Sequence, residues 1–243
     1  MSVITCNLLG RFGNQCMAYC FARAYAELHN CEFQCEPWLG HLLFELNDHP
    51  ITDFQLPRRS EQDLKPGEVN VNIYGYAQCD KAMIYTKAQV QKWFTWKPEI
   101  KALLDEIMPP DDSIVAHRRN GDFIGYGYPV VSRQSYFAAC DYHGLEGTKL
   151  RFVSDDDPWR HDRFTGGLEF LPDFYRLTKA PTLLRGNSSF SWFAATLGNG
   201  RVFSPVVEGL EGGREHDDVS FVKGNHPRLS TLGFCTDLYL KAA

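Results

Sequence analysis

The chain of 243 residues has no apolar run of the ~18 residues that a membrane-spanning helix requires, so no transmembrane segment is expected. Its start, Met1-Ser2-Val3-Ile4-Thr5-Cys6, lacks the charged and apolar regions of a secretory signal and enters a strand pattern at once. The expectation is a cytoplasmic protein whose eight cysteines are reduced thiols rather than a disulfide frame. No Cys-x2-Cys pair occurs. Cys16, Cys20, Cys31 and Cys35 fall within twenty residues and could in principle make a metal site, though not at the C-x2-C spacing usual for zinc. A basic excess is also missing: the net charge of −5 argues against nucleic acid as a partner. No internal repeat, low-complexity run or Ser-His-Asp order for nucleophilic catalysis stands out.

Apolar residues make up 44 % of the chain and aromatics 14 %, enough for a sizeable core and for rings that pack against sugars or bases. The length suits two small lobes or one α/β unit. Ser2 to Leu8 reads as a buried strand, followed by the turn Gly10-Arg11-Phe12-Gly13-Asn14-Gln15. Met17, Cys20, Phe21, Ala24 and Leu28 then recur at helical spacing, with Asn14 available as N-cap. Residues 36 to 68 read as loops with short helices, Val69 to Tyr76 as a strand, and Tyr85 to Trp96 and Pro98 to Ile107 as helices. A boundary is expected at Pro109-Pro110-Asp111-Asp112, dividing a lobe of residues 1–108 from one of residues 109–243.

Beyond it, strands are expected at Ser113–His117, Lys149–Ser154, Thr182–Arg185 and Arg201–Ser204. Helices are expected at Arg133–Tyr142, Asp173–Lys179 and Ser188–Leu197. Such alternation predicts a parallel sheet covered on both faces, with ligands at the carboxyl ends of its strands.

The chemistry-bearing motifs fall at those ends. His117-Arg118-Arg119-Asn120-Gly121-Asp122 follows an apolar strand, and alternation puts His117 and Arg119 on one face. Arginine there could meet the charge of a departing diphosphate through its planar fork; a solvated basic turn is the alternative. Arg185-Gly186-Asn187-Ser188-Ser189-Phe190-Ser191-Trp192 joins a strand to a helix. Gly186 permits a tight turn, Asn187 or Ser188 can cap the helix, and its first-turn N–H groups suit an anion; an ordinary capped core helix is the alternative. Asn187-Ser188-Ser189 also matches a glycosylation sequon, set aside for want of a secretory signal. The turn Gly10 to Gln15 suits either close ligand approach or a plain β-to-α connection. Asp155-x-Asp157, after the strand at 150–153, mimics the D-x-D that holds Mn²⁺ in metal-dependent transferases, but acidic residues after a strand are more commonly caps of the next helix. Glu215-His216-Asp217-Asp218 and His161-Asp162 read as solvated loop charges.

In these residues the chain resembles the α-1,2-fucosyltransferases and, more distantly, the superfamily that also holds the α-1,6- and protein O-fucosyltransferases. Gly10 to Gln15 is similar to the family's G-R-F-G-N-Q, Gly75-Tyr76-Ala77-Gln78 to its G-Y-x-Q, and His117 to Asp122 to its H-x-R-R-G-D. Ser154-Asp155-Asp156 with Trp159 resembles F-S-D-D-x-x-W, and Asn187 to Trp192 resembles N-S-S-F-S-W. The five stretches keep the family's order and span residues 10 to about 205.

The resemblance implies an α/β fold of GT-B type, with two facing Rossmann-like lobes built on parallel sheets. The first lobe would serve the acceptor and the second the donor. It implies inverting transfer of L-fucose from GDP-β-L-fucose to a glycan hydroxyl, forming an α-1,2 linkage, with no metal and no cofactor beyond the donor. Arg119 would contact the diphosphate. His117 and Asp122 would shape the guanosine side, and both are the nearest candidates for a general base. Ser188, Ser189 and Phe190, preceded by Asn187, would hold the phosphates and pack the nucleotide. Asp173 would fix the nucleotide loop, Asp155 and Asp156 would contact guanosine or end the strand, and Arg11 and Asn14 would face the cleft from the first lobe. One departure is plain: Asn120 stands where the family has its second Arg, while Arg118 fills the variable position, from which a local twist could bring it to the phosphates. Transfer from another nucleotide sugar, GDP-mannose or a UDP-sugar, and a non-catalytic nucleotide- or glycan-binding module are the alternatives.

Overall fold

The computed structural model of the chain describes residues 1–78, 82–154 and 168–226. It forms two compact units, Met1–Lys101 and one that begins at Ala102, so the division falls inside a helix (Pro98–Ile107).

The first unit opens with β1 (Val3–Leu8), α1 (Phe12–Leu28) and β2 (Glu32–Cys35). A five-residue helix α2 (Leu39–Leu43), β3 (Arg58–Arg59), β4 (Val71–Gly75) and α3 (Lys87–Trp93) follow, and α4 (Pro98–Ile107) runs across the division. The strands form a parallel sheet in the order β2-β1-β4-β3. Gly10, at φ +73°, makes the turn out of β1 at a backbone angle that side chains resist. Because of that turn α1 starts at Phe12, with Arg11 as its N-cap and no side-chain cap. Asn14 is therefore not the cap that spacing suggested; it lies within the first turn. Buried residues run all round α1, from Phe12, Cys16 and Met17 to Tyr19, Cys20 and Ala26. Much of the aromatic content is spent here. Phe12, Tyr19, Trp38, Phe44 and Phe94 pack ring to ring with centroids 5.0–6.5 Å apart. Helix α3 is shorter than the expected Tyr85–Trp96, since Thr86 and Gln89 close a capping box at its start. The described cysteines are free thiols, and burial raises the pKa of Cys6, Cys16, Cys20 and Cys35.

The second unit contains β5 (Ile114–Arg118), β6 (Val130–Val131), α5 (Arg133–Tyr142), β7 (Leu150–Ser154), α6 (Leu171–Lys179) and β8 (Thr182–Leu184). It continues through α7 (Ser189–Leu197), β9 (Arg201–Pro205), β10 (Glu215–His216) and β11 (Phe221–Lys223). Five strands make the main sheet, in the order β11-β9-β8-β5-β7. All pairs are parallel except β11 with β9. That edge departs from the expected all-parallel alternation because no helix intervenes between β9 and β11, and a helix-free return pairs antiparallel. Strand β5 is buried along its whole length, as a central strand covered on both faces must be. Ile114, Ala116, Tyr136, Ala139, Leu184, Phe203 and Phe221 meet in one core. The ribbon of β6 and β10, two residues each, has no period that sequence reading could detect.

Among the described residues no helix is long and apolar enough to cross a membrane.

Candidate active site

The order of strands selects one place in each sheet. From β5 the chain passes to β7 on one side and then returns to β8 on the other, so β5/β8 is the switch point of the second sheet. In open α/β sheets the crevice at the carboxyl end of such a point is where ligands bind. By the same rule β1/β4 is the switch point of the first sheet.

At β5/β8 the register Ile114↔Thr182 and Ala116↔Leu184 brings the ends of two motifs side by side. A Cβ on Gly186 would lie 2.7 Å from the His117 carbonyl oxygen and 3.2 Å from His117 Nδ1. Only glycine allows this approach, and its reason here is space rather than backbone angle. Tyr136 Oη donates to the same carbonyl at 2.6 Å. The His117 ring lies 5.5 Å from the ring of Phe190 in the first turn of α7. Phe170 and Phe174, at the start of α6, contact Phe190 at 5.9 and 5.2 Å. Thus three stretches far apart in sequence meet around one aromatic cluster at the strand ends.

Ser188 is the N-cap of α7, its Oγ accepting from Phe190 N at 3.3 Å. The hydroxyl keeps its proton to donate elsewhere. Ser189 and Phe190 are half-buried. Asn187 is buried, and its Nδ2 donates to Pro129 O at 2.9 Å, so its amide locks the turn to the segment before β6. Burial takes His117 down to 5 % exposure. Asp173 stands in the first turn of α6, next to Phe174, where an acid complements the helix dipole.

Strand β5 ends at Arg118, so Arg119 lies one residue past it and alternation does not reach it. The Arg119 guanidinium pairs with Asp122 and lies 5.3 Å from the Phe123 ring. Arg118 is differently engaged. It is 5 % exposed, and its Nη2 donates to Glu215 at 2.8 Å, tying β5 to the ribbon. Glu215 is exposed, as expected of a loop charge, but paired, whereas His216 beside it is buried, with Nε2 2.8 Å from Glu211 O. The expected move of Arg118 to the phosphates would cost this pair. Arg185, at the end of β8, is wholly buried.

At β1/β4 two other motifs meet. Gln78 Nε2 donates to Asn14 Oδ1 at 2.8 Å, and Gln15 Nε2 donates to Gly10 O at 3.0 Å. A Cβ on Gly10 would come within 2.9 Å of the Tyr76 ring. Arg11, half-buried, starts α1 beside them. Asp155 and Asp156 lie outside the described residues, as does the rest of Asp155-x-Asp157.

Sequence reading missed Phe170, Phe174, Tyr136 and Pro129. The apolar spacing of Leu171, Phe174, Tyr175 and Leu177 marks a buried helix face, but nothing local says that Phe174 ends beside Phe190.

No protein-family model matches the chain, and no curated protein matches it. Solved structures do. The α-1,6-fucosyltransferase NodZ soaked with GDP-fucose is 16 % identical with a TM-score of 0.54, over 91 % of this chain and 98 % of that one. NodZ co-crystallised with GDP is 16 % identical with a TM-score of 0.54, over 92 % and 98 %. A further structure of NodZ, from Bradyrhizobium, is 16 % identical with a TM-score of 0.51, over 83 % and 94 %. At this identity the likeness concerns the fold: the chain has the mixed α/β, parallel-sheet fold of these fucosyltransferases.

Proposed function

We propose that the protein is a glycosyltransferase that moves L-fucose from GDP-β-L-fucose to a hydroxyl of a glycan acceptor, with inversion and without a metal. The observation that carries this reading is the meeting of the His117–Asp122 and Gly186–Phe190 stretches at the switch point of one sheet. One stretch ends in arginine and the other opens a helix, and together they suit a diphosphate. The fold shared with fucosyltransferases solved with GDP-fucose and GDP supports the same donor.

In this mechanism the acceptor hydroxyl oxygen attacks the anomeric carbon as the bond to the β-phosphate oxygen breaks, and the hydroxyl proton passes to the departing phosphate or to water. The growing phosphate charge is met by Arg119, by the first-turn N–H groups of α7 and by the hydroxyls of Ser188 and Ser189. Asp122 orients the Arg119 guanidinium. His117, buried against Phe190 and Gly186, packs under the nucleotide rather than moving a proton. Phe190 offers its ring to the nucleotide. Asn14 and Gln78 fix the β1/β4 end, which we assign to the acceptor with Arg11. The motifs favour an α-1,2 linkage, whereas the structural neighbours named above form α-1,6 linkages. Product linkage analysis decides between the two.

A second reading, a nucleotide-binding module without turnover, is favoured by Asn120 and by the engagement of Arg118 with Glu215. Calorimetry with GDP, GDP-fucose, GDP-mannose and UDP, with and without Mn²⁺, tests the donor. Tight GDP and GDP-fucose binding with release of fucose to an acceptor is the expected result. Binding of UDP alone would overturn the donor assignment, and GDP binding with no turnover on any acceptor would favour the second reading.

A further inference from the structure

We propose that Arg185 is a positioning residue for the donor diphosphate: it holds the Gly186 carbonyl inward, so that the turn presents its amide to the phosphates, and stands behind that turn as a cation with no counter-ion among the described residues. The inference rests on the donor reading of the β5/β8 site.

Arg185 is 0 % exposed. Its backbone N–H donates to Phe203 O at 3.0 Å, which extends the pairing of β8 with β9 by one residue. Its Nε donates to Ser204 Oγ at 2.8 Å. Ser204 Oγ in turn donates to Gly224 O at 2.7 Å and accepts from His226 N at 2.9 Å, so the anchor is itself fixed. Arg185 Nη1 donates to Gly186 O at 2.9 Å, and Ser191 Oγ donates to the same oxygen at 3.3 Å. Nη2 is buried and makes no hydrogen bond among the described residues. No carboxylate among the described residues pairs with this guanidinium, and the side chain that acts on it is the Tyr136 phenol. Burial pushes its pKa down to about 9, which leaves it charged at neutral pH.

Two consequences follow from elementary chemistry. No peptide among the described residues is cis, and across a planar trans peptide the carbonyl and the next N–H point in opposite directions. With the Gly186 carbonyl drawn toward the guanidinium, the Asn187 N–H points away from it. That sense joins the Asn187 amide to the open N–H groups of α7. Second, buried charges are ordinarily paired, because an isolated one loses its hydration with nothing in return. A dianionic or trianionic group at the turn would supply the missing field. Asn120 removes a cation from the β5 end, and Arg185 returns one from the β8 end, one residue before the turn that would bind the phosphates.

The experiment compares GDP with guanosine by calorimetry on the full chain and on Arg185→Gln and Arg185→Lys, each checked for folding by circular dichroism. Wild type must first bind GDP; if it does not, the donor reading itself has failed. Given binding, Arg185→Gln should weaken GDP by about tenfold or more while guanosine affinity changes by less than about twofold. Arg185→Lys keeps the charge but cannot bridge Ser204 and Gly186, and should show a smaller loss of the same kind. An equal loss of GDP and guanosine would mean a purely structural role and overturn the proposal. So would a folded variant of either kind that binds GDP as wild type does. Should Arg185→Gln not fold, the Lys variant decides on the same two readouts.

Discussion

Replacing Gly186 by alanine tests the geometry of the strand-end site without touching any charge. The new methyl would sit 2.7 Å from the His117 carbonyl oxygen, about 0.7 Å inside ordinary contact. Neither side yields easily. The carbonyl belongs to a buried central strand and is held by Tyr136 at 2.6 Å, while the Gly186 carbonyl is held by Arg185 and Ser191. The overlap must therefore separate the ends of β5 and β8 by several tenths of an ångström. Overpacking of this kind costs about 1–3 kcal/mol. Gly186 is not at a positive φ, so no backbone strain adds to that figure. Gly125 provides the control, since a Cβ there meets nothing closer than Asp122 O at 3.5 Å. Its alanine variant should be neutral or slightly stabilised, by up to about 1 kcal/mol, through the unfolded state. Urea unfolding of wild type and both variants, with GDP calorimetry on the same samples, reads the effect. Gly186→Ala should lose about 1–3 kcal/mol and weaken GDP by at least about tenfold. Unchanged stability with unchanged GDP affinity would refute the claim that the two motifs form one site through this contact.

Arg119→Ala should lower kcat by about 10²–10³-fold through lost leaving-group stabilisation, while costing at most about 1 kcal/mol of fold stability, since its pair with Asp122 is partly exposed; near-normal turnover in the folded variant removes it from the mechanism. Ser188→Ala should destabilise by about 1 kcal/mol through loss of the α7 cap and also raise the donor KM, measured by unfolding and steady-state kinetics. Glu215→Ala should cost at most about 1 kcal/mol, since the Glu215 side chain of the pair is 42 % exposed, with GDP affinity little changed; a large GDP effect would place Arg118 at the phosphates after all. Turnover should survive EDTA, and activity lost to EDTA but restored by Mn²⁺ would return the donor diphosphate to Asp155-x-Asp157.

Much of the second sheet was legible because its signals are local. The run Ile114-Val115-Ala116 is β-branched and apolar, and Ser132 caps α5 just before its first helical residue, so the expected Arg133–Tyr142 matches the helix found. The convergence of the two motifs was legible as a rule about strand ends, and the register of β5 with β8 supplies the contact. What stayed hidden depends on partners remote in sequence. Glu215 is 97 residues from Arg118, and no pattern around either announces the pair. Strands of two residues, β6 and β10, are too short to show alternation. Asn14 misled because it is a good cap by type, whereas the positive φ of Gly10 sets where the helix begins. Nothing in the sequence around Arg185 gives it a role, since only the fold shows that it turns inward to the Gly186 carbonyl and Ser204.

The most direct measurement is amide hydrogen exchange of the full chain with and without saturating GDP. Protection should rise together in two separated stretches, residues 117–122 and 186–191, because one diphosphate bridges both. Saturating GDP that leaves both stretches exchanging as in the free protein would contradict the placement of the donor between the ends of β5 and β8.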